Sequence, residues 1–205
     1  MINLIELENW GNDLKPILFD INLSLRNLKI LEHQNSSKFK EEQNELFVIL
    51  WYQQYFIIVI QLSKLFTDNK NQKRNFNVLV KNLKEGIAEE EIPSYLESNK
   101  LNPCLYKSCE DILGIGLSVF DKLQTEIDLI NDLSAIRNKV FAHTDPDSPE
   151  NLLNIEQLTT LTELAIEIYD QIFGKVWGQS FNPNFASRFD FSKMIDLFNF
   201  HSSDV

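Results

Sequence analysis

Between residues 12 and 34 (NDLKPILFDINLSLRNLKILEHQ) Leu14, Ile17, Leu18, Ile21, Leu25, Leu28 and Leu31 fall three and four residues apart. At about 100° per residue this spacing gathers them on one face, which predicts an amphipathic helix with Pro16 in its first turn. The next segment, 36 to 66, opens with serines and acids and then turns apolar on every side, as a helix in the middle of a bundle would. Its Ile, Val and aromatic content also suits a strand, but its length favours a helix. A membrane span is the other rival. Gln53 and Gln54 interrupt the apolar run and leave it short of the ~20 residues a span needs.

The polar connection TDNKNQKRN is followed by a short helix, FNVLVKNLKEGI, which Gly86 is expected to end. From Glu89 to Asn102 the chain is acidic and weakly patterned, with Pro93 and Pro103 as breakers. Helical spacing returns from Ser108 to about His143 through Ile112, Leu113, Leu117, Phe120, Leu123, Ile127, Ile130, Leu133, Val140 and Phe141, with Gly114 and Gly116 placed to kink or divide it. TDPDSPEN reads as a turn, and a last strong helix is predicted over 155 to 177. The expectation is an all-α bundle of about five or six helices, one domain over 1–177. A Phe-rich tail, 178–205, lies on the body or on a second subunit, because its six phenylalanines are too many to leave in water.

Composition narrows the function. A formal charge of −11 works against nonspecific nucleic-acid binding, so DNA is not an expected partner and any RNA contact is local. The segment from Lys64 to Lys84 departs from that balance, with six basic residues and one acid, and Lys70, Lys73 and Arg74 are its candidate RNA contacts; the rival reading is a solvated loop and helix face. Two cysteines and three histidines make no closed metal constellation, and no cofactor motif is present, GIG at 114–116 following no convincing strand. Glu6, Glu8 and Asp13 in MINLIELENWGND take the place of the basic segment of a signal peptide, from which a cytoplasmic location is expected.

The stretch AIRNKVFAHTD, 135–145, raises the chemical question. Arg137 projects between Ile130, Leu133 and Phe141, on an apolar stripe. A guanidinium cannot shed its charge. It therefore needs a carboxylate partner, a ligand anion, or an edge where it reaches water. His143 lies about 120° and ~9 Å further along a straight helix, so the two side chains converge only if the helix distorts at its end or a two-fold axis brings a second copy alongside.

RNKVFAH resembles the Arg-polar-His signature of the HEPN superfamily, small α-helical proteins that include many dimeric, metal-independent ribonucleases of toxin–antitoxin and antiphage systems. LSAIRNKVFAHTD and the upstream QLSKLFTDNKNQKRNFNVLVKNL look most like the AbiU-type abortive-infection branch, over roughly residues 40 to 175. The resemblance places Arg137, Asn138 and His143 at the signature positions and Asp145 at a supporting acid. It implies a homodimer, RNA as substrate and an antitoxin protein as a partner. In the HEPN toxins held by a nucleotidyltransferase, four residues separate Arg from His and a tyrosine lies two beyond; here five intervene and Asp145 stands in the tyrosine's place, so adenylylation of that tyrosine is not implied.

The residues suit that chemistry on their own account. A histidine near pKa 6.5 takes the proton of a 2′-hydroxyl, and an arginine holds the phosphate without a metal. Two rivals stand beside this reading. One is a non-catalytic module of the same architecture that binds nucleotide, RNA or protein, with Arg137 paired to a carboxylate and His143 at the negative end of its helix. The other is a structural dimer whose Phe-rich tail recruits a partner.

Overall fold

The computed structural model describes residues 4–32, 41–67, 74–85, 109–138, 152–174 and 179–196. Within them the chain forms α1 (Leu4–Glu32), α2 (Glu41–Phe66), α3 (Phe76–Glu85), α4 (Cys109–Thr125), α5 (Ile127–Ile136) and α6 (Ile155–Tyr169). A π-helical turn, Asp170–Gly174, widens the end of α6, and a 3-10 turn, Pro183–Arg188, lies in the tail. The described residues contain no strand, and the fold is an all-α bundle.

α1 is longer than its apolar spacing from Leu14 onward predicts. It begins at Leu4 because Leu4, Leu7 and Trp10 continue the same buried face towards the N-terminus. Pro16 therefore sits inside the helix and not in its first turn. It is tolerated because Asn12, whose carbonyl loses the bond, and Pro16 are both exposed to water. Gly11 has a distinct role: a Cβ there would lie 2.7 Å from the Phe173 ring, so only glycine lets the π-helical turn seat against α1. Tyr169 fastens the same contact by donating from its hydroxyl to the Gly11 carbonyl, 3.3 Å away, and burial pushes its phenol well above the ordinary value.

α1 packs against α2, α6 and the 3-10 turn; α5 packs against α2 and α6; α3 lies along α4. Leu18, Ile21, Leu28, Ile58, Val59, Leu62, Leu161, Ala165 and Ile168 meet in one core from which solvent is excluded. Each fully buried Leu or Ile contributes about 1.5–3 kcal/mol. α2 is not enclosed on every side. Its second half is mostly buried, but Leu46, Val48 (68% exposed), Ile49, Tyr52 (52% exposed) and Phe56 form an apolar face open to solvent. By length and composition Asn44–Phe66 is apolar enough to cross a membrane despite its glutamines, so length does not set that rival aside. In this fold the helix turns Tyr55, Ile58, Val59 and Leu62 into the core, and Gln54 is buried and hydrogen-bonded.

The break in the long predicted helix falls at Glu126, which leaves the helical conformation (φ −104°, ψ 19°), and not at the glycines. Gly114 faces open space. Gly116 permits the close approach of α3, since a Cβ there would lie 3.0 Å from the Leu83 Cβ. α6 opens with a capping box: Asn154 accepts from the Gln157 amide and the Gln157 side chain accepts from the Asn154 amide.

The described part of the tail returns along α1. Asn22 donates to the Pro183 carbonyl at 2.6 Å, Arg26 pairs with Asp190 at 3.0 Å, and the Phe191 amide donates to Asn27 at 2.9 Å. Asn27 also donates to Gln54 at 3.1 Å, so one buried amide ties α1, α2 and the tail together. Beyond it Phe191, Met194 and Ile195 close a second cluster with Leu31 and Phe47.

Asn27→Leu leaves the Gln54 carbonyl oxygen and the Phe191 N–H without their partner, and urea unfolding should show a loss of about 2–3 kcal/mol. A loss under 0.5 kcal/mol would show that water replaces the amide. Burial alone would push the Asp190 carboxyl up, but hydrogen bonds from Ser192 and Arg26 and the Arg26 charge hold it below its usual range. Its contribution is therefore complete above the unfolded-state value near ~3.9 and is lost as pH falls through the lower folded value. Amide exchange at Phe191 should accelerate on acidification through that window in the wild type and show no such step in Asp190→Asn.

Candidate functional site at the end of α5

Ile130, Leu133 and Ile136 turn inward from α5 and hold its register against α2 and α6. Arg137 follows as the C-cap residue, still α-helical (φ −55°, ψ −44°), with its amide shared between the Leu133 and Ser134 carbonyls. At 137 and 138 the helix widens into a π-like turn.

The Arg137 side chain is half-buried on the apolar stripe that includes Ile130 and Leu133. Its Nη1 donates to Asn138 Oδ1 at 3.2 Å, and Asn138 itself is exposed. Among the described residues no carboxylate is paired with Arg137, whereas Arg26, Arg74 and Lys122 each hold one: Asp190, Asp13 and Glu167. Asn138 thus steadies the guanidinium without neutralising it. The remaining donors can receive the oxygens of an anion in a forked arrangement.

His143 and Asp145 lie outside the described residues, as do Lys70 and Lys73. Arg74, the third member of the basic segment, is exposed and paired with Asp13 on α1. Such a surface pair is worth about 0–1 kcal/mol, so a phosphate can displace the carboxylate at little cost. Among the described residues no group of three or more His, Cys, Asp or Glu side chains is arranged to hold a metal ion.

Two other concave regions escaped the sequence patterning. A polar cleft of about 610 Å³ is lined by Ser118, Lys122, Glu167, Asp170, Gln171, Gly174 and Ser180. It exists because the π-helical turn lets Asp170 reach the tail, where its carboxylate accepts from the Phe181 amide at 2.7 Å. Nothing in a helical pattern of apolar residues announces such a widening. A second groove, about 380 Å³ and mostly apolar, runs between α1 and the tail.

Replacing Arg137 with methionine tests whether its charge is structural. With no carboxylate partner among the described residues, Arg137→Met should change the unfolding free energy by less than about 1 kcal/mol or raise it; a loss of about 3–5 kcal/mol is the mark of a broken buried ion pair and would assign the residue to the scaffold. No protein-family model, curated protein or solved structure matches this chain.

Proposed function

We propose that this protein is a HEPN-like, AbiU-type, metal-independent endoribonuclease, or ribonuclease-like effector, acting in antiphage defence or as a toxin held by an antitoxin protein in the cytoplasm. The observation that carries the reading is Arg137: a permanent cation on an apolar stripe, steadied by Asn138, with no carboxylate partner among the described residues. The position calls for an anion, and the RNKVFAH stretch that contains it supplies a histidine six residues on.

In this scheme His143 acts as general base and removes the proton from a 2′-hydroxyl. The 2′-oxygen forms a bond to phosphorus, the bond from phosphorus to the 5′-oxygen breaks, and that oxygen receives a proton from a general acid, giving a 2′,3′-cyclic phosphate and a 5′-hydroxyl. Arg137 holds the phosphate and offsets the charge that develops on its oxygens, Asn138 orients the guanidinium, and Asp145 supports the site. A second His143 from a homodimer serves as the acid. The open apolar face of α2, with Val48, Ile49 and Tyr52 exposed, supports association of two copies.

RNA incubated with the protein in EDTA should acquire 2′,3′-cyclic phosphate ends. His143→Ala should abolish them, and Arg137→Ala should slow their formation by about 10²–10³-fold. Undiminished cleavage by His143→Ala, with the same ends, would exclude the mechanism.

A further inference from the structure

The tail contains a feature that the proposed reaction does not use. Phe181 and Phe191 are packed against the body, but Phe185 and Phe189 remain 47% and 55% exposed. Both rings face Phe19 of α1, with centroids 5.9 Å from it and 5.5 Å from each other, tilted or edge-on. The groove beside them is lined by Lys15, Pro16, Phe19, Asp20, Asn182 and Phe185, among others.

These rings are held, not loosely exposed. Asn182 caps the 3-10 turn by accepting from the Asn184 amide at 3.0 Å, and Asn22, Arg26 and Asn27 bind the tail on either side of the rings. A preorganised aromatic surface loses little entropy when a flat ligand settles on it.

Charge decides the kind of ligand. The Arg188 guanidinium lies 5.5 Å from the centre of the Phe185 ring, and Lys15 lines the groove. Among the described residues neither cation is paired with a carboxylate, although the chain carries eleven more acids than bases. The acid in the groove, Asp20, accepts from Gln61 at 2.7 Å. A purely apolar side chain would use the rings and leave both cations without a counter-charge among the described residues. A nucleobase carrying a phosphate would use both, its ring stacking on phenylalanine and its phosphate reaching Lys15 or Arg188.

We propose that the groove between α1 and the tail binds a nucleobase bearing a phosphate, supplied either by a free nucleotide or by an unstacked residue of single-stranded RNA. The groove's volume suits one such unit. This site does not depend on Arg137 and stands whether or not the chain cleaves RNA.

The test uses the full chain. Calorimetric titration with uridine 5′-monophosphate, adenosine 5′-monophosphate and uridine separates the phosphate's contribution from the base's, and fluorescence anisotropy with a labelled 2′-O-methyl oligouridine reports the strand. The double variant Phe185→Ala, Phe189→Ala should weaken binding about tenfold or more, while the melting temperature falls by only a few degrees, both rings being about half exposed. Lys15→Gln with Arg188→Gln should flatten the salt dependence. Tighter binding of the oligonucleotide than of either nucleotide identifies a strand as the ligand; the reverse identifies a free nucleotide. The proposal falls if neither class binds at millimolar concentration, if the Phe variant binds as the wild type does, or if binding disappears in Arg137→Met alone. It also falls if an uncharged aromatic peptide occupies the groove while nucleotides do not. Cleavage assays on the same variants keep the two readings apart: lost cleavage in His143→Ala with groove binding intact leaves this site standing.

Discussion

The continuous apolar face of α1, from Leu4 to Leu31, is the constraint about which the other elements are arranged. α2 and α6 bury their own faces against it, and α5 reaches the core by packing on those two. At Gly11 the packing is tight enough to exclude even a methyl group. A long helix filled on one side leaves little freedom in where its neighbours lie. The position of Arg137 is thus set by the seating of Ile130, Leu133 and Ile136 in a core that α1 defines.

A cation placed at the end of such a helix is in an unusual electrostatic position. The apolar stripe removes part of its hydration, and Asn138 fixes its direction without cancelling its charge. Arg26, also in contact with a packed surface, shows the alternative: its partner Asp190 is held ionised by hydrogen bonds and the pair fastens the tail. The same residue type thus closes a contact at Arg26 and, among the described residues, has no carboxylate partner at Arg137.

Helices were legible in the sequence wherever apolar residues recurred at three and four, as in α1 from Leu14 onward, α3 and α6. Boundaries were less legible where local signals pointed elsewhere. Gly11 and Pro16 resemble breakers, yet burial of Leu4, Leu7 and Trp10 outweighs them and extends α1. Gly114 and Gly116 resemble a hinge, yet the chain breaks at Glu126, just after Thr125, whose hydroxyl donates to the Asp121 carbonyl, and beyond the break α5 packs on α2 and α6. The apolar run of α2 gave no sign that its first half would remain open to solvent, because exposure depends on what the other elements reach. Arg137 stood out because a charge on an apolar stripe is visible from spacing alone. The polar cleft and the aromatic groove did not, since both depend on where the tail returns.

The account rests on the Arg137 guanidinium being reserved for an external phosphate. Its Nε–H resonance, followed in a ¹⁵N-labelled protein titrated with a 2′-O-methyl RNA that cannot be cleaved, reports that contact without requiring turnover. The account predicts a saturable shift of the Arg137 resonance and slower exchange of its proton with water. A resonance that stays put while the RNA binds elsewhere, or one already slowly exchanging in the free protein because an internal carboxylate holds it, would contradict it.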